Sequence, residues 1–67
     1  MKFCPENIQK RREELGMTRE ELAKKAGLSY NAIWRIETGQ REPMASTLGA
    51  IAKALDTRRI SMFFEDE

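Results

Sequence analysis

The sequence predicts an all-α fold, a compact single domain (1–67) of five short helices. Three observations predict it. Thr18 and Glu21 form an S/T-x-x-E capping box, a signature of a helix start. Gly16, Gly27 and Gly39 stand where successive helices must stop, because glycine adopts positive φ without a Cβ clash. Leu48, Ile51, Ala52 and Leu55 repeat at i, i+3, i+4 and i+7, which is one apolar face of a helix.

In chain order, residues 1–5 read as a frayed lead, with Pro5 in the first turn of a helix, where its missing N–H costs nothing. The first helix runs from about Glu6 to Leu15 and turns Ile8, Arg12 and Leu15 inward. An inward arginine needs a partner, because an unpaired buried charge is costly, and Glu37 is the obvious one. The second helix, about Arg19 to Ala26, faces inward with Leu22, Ala23 and Ala26, and outward with Lys24 and Lys25. After Gly27, Leu28 drops into the core and Ser29 caps a third helix, about Tyr30 to Thr38. Residues 39–43 form a turn in which Pro43 holds Glu42 out of helical geometry. The fourth helix covers about Ala45 to Leu55. Met44 gives it no side-chain cap, Ser46 offers a later start, and Gly49 costs about 1 kcal/mol against alanine. A fifth, short helix covers about Arg59 to Phe64, with Thr57 as a candidate cap and Ile60, Phe63 and Phe64 on one face.

Two helices joined by a short glycine turn across residues 18–39 make the helix-turn-helix pattern. At about 100° per residue, Tyr30, Asn31, Trp34, Arg35 and Thr38 share a stripe roughly 140° wide, opposite Ala32, Ile33, Ile36 and Glu37. The second set is mostly apolar and packs inward. The first is aromatic, amide, guanidinium and hydroxyl, groups that reach base edges and phosphates. A solvated face more often carries Glu and Lys, and this stripe has neither.

Composition limits the alternatives. A 67-residue chain has one marginal core. Its single Cys4 rules out an internal disulfide and reads as a small terminal hydrophobe, and without histidine no metal set is in view. Oligomerisation is the remaining staple for so small a scaffold. There is no leader pattern and no apolar run near the roughly 18 residues of a membrane span, so a soluble, cytoplasmic protein is expected. No phosphate loop and no Ser or Cys with a nearby base argues for an enzyme, and neither cofactor nor small-molecule ligand is expected. Net charge is only +1, but residues 1–41 hold nine Lys/Arg against six Asp/Glu, and residues 42–67 hold three against five. The half with the third helix is basic and the tail, Glu65-Asp66-Glu67, is acidic.

Residues 8–55 resemble the DNA-binding domain of the phage-repressor and Cro-like helix-turn-helix family. The matching motifs are Gly16-Met17-Thr18-Arg19-Glu20-Glu21-Leu22-Ala23, Ala26-Gly27-Leu28-Ser29, Ile33-Trp34-Arg35-Ile36-Glu37-Thr38-Gly39 and Ile51-Ala52-Lys53-Ala54-Leu55. The resemblance implies that the third helix lies in the major groove while the second crosses the phosphate backbone. It also implies an ion pair between Arg12 and Glu37. Carried over by position, Tyr30, Asn31 and Arg35 read bases, Asn31 by a fork to adenine and Arg35 by a fork to guanine. Thr18 and Arg19, at the amide-rich start of the second helix, contact phosphate. So do Thr38, Gln40 and Arg41 beyond the third helix. Trp34 stands where the family usually carries a small or polar residue; it lies along the sugar-phosphate edge, shields the adjacent loop or marks a protein interface. Met44 also departs from the family, which usually has a Ser or Asp cap there, and so do two further positions. Arg19 replaces a glutamine that braces the third helix as well as touching phosphate, which leaves the bracing role open. Arg11 replaces an apolar residue, which implies a smaller core or an added phosphate contact.

The function implied is a sequence-specific regulator of transcription, prokaryotic or phage-encoded, bound to double-stranded DNA as a homodimer on an inverted repeat. Met62 and Phe64 are candidate dimer contacts, core filling being the other reading. A small antitoxin-like interaction module, whose main role is to bind a partner protein, is the alternative. The aromatic C-terminus and acidic tail fit it equally well.

Overall fold

The computed structural model describes residues 1–66. The elements follow the order β1 (Lys2–Phe3), α1 (Pro5–Glu14), α2 (Arg19–Ala26), α3 (Tyr30–Glu37), α4 (Ala45–Ala54), a 3-10 turn (Ile60–Phe63) and β2 (Phe64–Glu65). α3 packs on α1 and α2, α4 closes over α2, and the 3-10 turn seals the end of α1 and α4. The centre is a set of fully buried side chains: Ile8, Leu22, Ile33, Ile36, Ile51, Leu55 and Phe63. No described helix is long and apolar enough to cross a membrane.

The central pair of helices is fixed by local chemistry. Thr18 Oγ1 accepts from the Glu21 amide at 3.1 Å, and Glu21 Oε1 accepts from the Thr18 amide at 2.9 Å, so the capping box is complete. Gly27 ends α2 at φ 72°, in the left-handed region. Ser29 then starts α3, its Oγ accepting from the Ala32 amide at 3.1 Å. Gly39, at φ 79°, ends the turn after α3 with Pro5 Cγ 3.7 Å from where a Cβ would stand.

The two ends of the chain differ from expectation. Among the described residues there are four α-helices, not five; the last segment makes a single 3-10 turn and then extends into β2. Thr57 does not cap it: its hydroxyl takes the Arg59 amide, one residue ahead of the turn. The first residues are not frayed. Lys2 and Phe3 pair antiparallel with Glu65 and Phe64, the Phe3 and Phe64 rings meet edge to face at 5.7 Å, and the Cys4 amide donates to the Phe63 carbonyl at 2.7 Å. Phe64 is accordingly half-buried in its own chain. Cys4 is buried beside this sheet, and burial first, then the Glu65 carboxylate, pushes its thiol up, so it serves as packing.

Leu15 is a further correction. It is 40% exposed because α1 stops at Glu14, so the inward stripe of that helix is Ile8 and Arg12, with Met17 packing in from the following turn. α4 begins at Ala45 behind an uncapped Met44, without waiting for Ser46.

Candidate nucleic-acid interface

The geometry of α3 separates what is held from what is presented. Ile33, Ile36 and Glu37 are buried, whereas Tyr30, Asn31, Trp34, Arg35 and Thr38 are all exposed. Two large aromatic rings stand in water on this stripe, Tyr30 at 47% and Trp34 at 36% exposure. Asn31 has two amide donors and a carbonyl, and Arg35 has a free guanidinium fork. Neither side chain makes a hydrogen bond to another described residue, so both keep their full bonding capacity for a ligand. Thr38 differs: its hydroxyl donates to the Trp34 carbonyl at 2.7 Å, which leaves it only an acceptor role outward.

The buried side of α3 is anchored by charge. The Glu37 carboxylate is completely withdrawn from solvent. Arg12 grips it from α1, Nε to Oε2 at 2.7 Å and Nη2 to Oε1 at 3.1 Å, while Arg12 Nη1 donates to the Met17 carbonyl at 2.7 Å. Arg19, at the first position of α2, donates from Nε to the same Oε1 at 2.9 Å. Two arginines from two helices therefore share one carboxylate. The hydrogen bond to Glu37 raises the Arg19 guanidinium above its ordinary range, desolvation opposes it, and Tyr30 adds to the rise. No buried side-chain polar atom among the described residues lacks a partner, so the network closes without an orphan charge.

The flanks follow the same division. At the start of α2, the capping box takes the amides of Thr18 and Glu21, and the Thr18 hydroxyl, an acceptor there, keeps its own O–H. The Arg19 side chain, 26% exposed, is the accessible cation there. Past α3, the amides of Gln40 and Arg41 both donate to the Arg35 carbonyl, at 2.8 and 3.2 Å, which finishes the helix and leaves their exposed side chains outward. Arg11 turns to the protein's own backbone and α1. Its Nε caps the C-terminal end of α4 through the Leu55 carbonyl at 3.2 Å, and it pairs with Glu14 at 3.6 Å. No local pattern announces a bond that crosses 44 positions. The same holds for Asn7, whose amide donates to the Met62 carbonyl at 2.9 Å.

Comparison with known proteins agrees with this arrangement. Over 57 residues the chain is 37% identical to an uncharacterized HTH-type transcriptional regulator of Methanothermobacter thermautotrophicus, covering 85% of this chain and 83% of that protein. The restriction-modification controller protein C.AhdI from Aeromonas hydrophila has the same fold, with a TM-score of 0.85, 27% identity, and coverage of 90% of this chain and 89% of that one. The P22 c2 repressor, solved in complex with a synthetic operator, matches with a TM-score of 0.83 and 30% identity over 98% of this chain and 100% of its own. A family model described as helix-turn-helix matches residues 8–61. That match runs from the buried Ile8 through every residue of α2, α3 and α4, and the chain belongs to the helix-turn-helix family of transcriptional regulators.

Proposed function

We propose that this protein is a cytoplasmic transcriptional regulator that binds double-stranded DNA in a sequence-specific way, with α3 in the major groove. One observation carries the reading: an exposed stripe of Tyr30, Asn31, Trp34, Arg35 and Thr38, free of Lys and Glu, on a helix whose other face is locked by Ile33, Ile36 and Glu37. Rigid presentation of hydrogen-bonding groups is what base readout requires. The P22 c2 repressor, similar over almost the whole chain, is a protein seen with its operator.

In this reading Asn31 forks to adenine N6 and N7, Arg35 forks to guanine O6 and N7, and Tyr30 packs on a thymine methyl or bonds a phosphate. Trp34 lies along the sugar-phosphate edge. Arg19, Gln40 and Arg41 contact phosphates, as does Thr18, whose hydroxyl accepts within the capping box and keeps its O–H to donate, while Thr38 is restricted to an acceptor or packing role by the bond it already makes.

The protein acts as a homodimer on an inverted repeat. The half-sites lie about one helical turn, roughly 34 Å, apart. Ile60 at 39% and Met62 at 37% exposure supply apolar surface for the dimer interface, joined by the uncovered edge of Phe64. The alternative of a pure protein-binding module loses part of its support, because Phe63 is fully buried and Phe64 packs edge to face against Phe3.

The test is selection of bound duplexes from a random double-stranded library near physiological salt, with Arg35→Ala run alongside. An enriched inverted repeat, relaxed at one base pair per half-site in the variant, is expected. Weak, salt-titrating binding without enrichment, identical in both proteins, would overturn the reading.

A further inference from the structure

The start of the chain and the turn after α3 enclose an open cleft of about 320 Å3, with Lys2 on one wall and Arg41 and Glu42 on the other. The two segments meet where Pro5 Cγ lies 3.7 Å from the place of a Cβ on Gly39. Lys2 is put there from the far end of the sequence. β1 pairs it with Glu65, and Phe3 beside it is buried, so strand alternation turns the Lys2 side chain to the solvent side. Both Lys2 and Arg41 are exposed, and neither forms an ion pair with another described residue. Two cations against the one carboxylate of Glu42 leave the cleft positive. Pro5 has no N–H to offer, so the donors to an anion here are the ammonium and the guanidinium.

We propose that this cleft takes a phosphodiester of the DNA backbone, held jointly by Lys2 and Arg41, which makes the terminal ribbon of β1 and β2 part of the DNA interface. The proposal rests on the DNA-binding reading above, which gives Arg41 a phosphate but gives the ribbon no part. The cleft opens next to Thr38, at the end of the outward stripe of α3, so a backbone that lies along that stripe passes its mouth. The two cations divide the work: the guanidinium aligns two oxygens, and the ammonium adds a point charge from the opposite wall. Glu42 opposes the same phosphate. Such a contact adds affinity to every sequence and fixes register without reading bases.

Ethylation interference on the duplex selected from the random library maps the phosphates that the full chain requires. Wild type, Lys2→Ala, Arg41→Ala, the double variant, Glu42→Gln and, outside the cleft, Lys24→Ala are compared, with dissociation constants across a salt series and a thermal melt of each. Lys2 bonds the ribbon through its main chain, so Lys2→Ala should melt as wild type. Each single cleft variant should abolish interference at the same phosphate of the half-site. The double variant should lower the salt slope by about 0.9, one phosphate's share, where two independent contacts would remove about 1.8. Near physiological salt that is about fivefold weaker binding, against about thirtyfold. Glu42→Gln should bind more tightly, Lys24→Ala should bind as wild type, and base preference should hold throughout. Wild-type binding by Lys2→Ala, or interference lost at a phosphate other than the one Arg41→Ala affects, would overturn the shared cleft and leave the regulator reading in place. A wild-type protein with no preferred duplex would overturn that reading instead, and the salt slope of Lys2→Ala on mixed-sequence DNA would still decide the cleft.

Discussion

Arg12 and Glu37, 25 positions apart, meet in a two-point fork buried under α3. The fork does for α3 what apolar packing alone does poorly: it fixes rotation about the helix axis, because parallel bonds to one carboxylate tolerate little twist. Removing Arg12 strands a fully buried carboxylate on the single bond from Arg19 and frees the Met17 carbonyl. Arg12→Ala should therefore cost about 3 kcal/mol, read as a lowered urea midpoint at unchanged slope. Replacing both partners by apolar residues, Arg12→Met with Glu37→Leu, should recover most of that stability.

The capping box of α2 gives a pH prediction. The Thr18 amide, and next the Thr18 hydroxyl, hold the Glu21 carboxyl below the usual carboxylate range. A carboxyl lowered in the folded state stabilises fully above its unfolded value, about 4.3, and loses that contribution as pH falls through the folded value. Wild type should lead Glu21→Gln in urea midpoint at pH 7, and the gap should close only below about pH 4, in the acid limb. A gap independent of pH would show that the carboxylate charge is idle at this helix start.

Gly27 isolates a pure backbone effect. It sits at φ 72° with nothing within 4 Å of an added Cβ. Gly27→Ala should cost about 1–2 kcal/mol through left-handed strain alone, with no steric contribution. Calorimetric melts of the variant should show a lower Tm with the unfolding heat-capacity change unaltered.

On the outer face, Asn31→Ala should reduce discrimination at its base pair by about 1–3 kcal/mol. Fold stability should not move, since the side chain bonds nothing within the described chain. Competition binding against duplexes changed at that pair, with a parallel melt, checks both halves. A stability loss would mean that Asn31 caps or braces α3 instead.

The parts of this fold that are legible in the sequence are those with local causes. Thr18 and Glu21 are three positions apart, Ser29 caps the amide three positions on, and Gly27 stops α2 one residue after it ends. Each of these carries its reason within a turn. What escapes is what depends on distance or brevity. Strands of two residues show no alternation, and Lys2 pairs with a Glu65 that lies at the other end of the chain. Spacing turns Leu15 inward, but spacing fails one residue past the end of α1. The second arginine on Glu37 has no local sign, because a departure from a family glutamine does not name the new partner. The outward stripe of α3 is readable as chemistry, since its exposure follows from the opposite face being apolar.

The register of Lys2 with Glu65 and Phe3 with Phe64 has a kinetic side. Closing it joins segments separated by nearly the full chain, and loop-closure entropy makes such a pairing the least favourable to form early. The four helices condense first through their shorter-range packing, and the terminal ribbon zips only onto a finished scaffold. Probes at Phe3 or Phe64 will then report almost entirely on the unfolding rate, leaving the refolding arm of a chevron untouched.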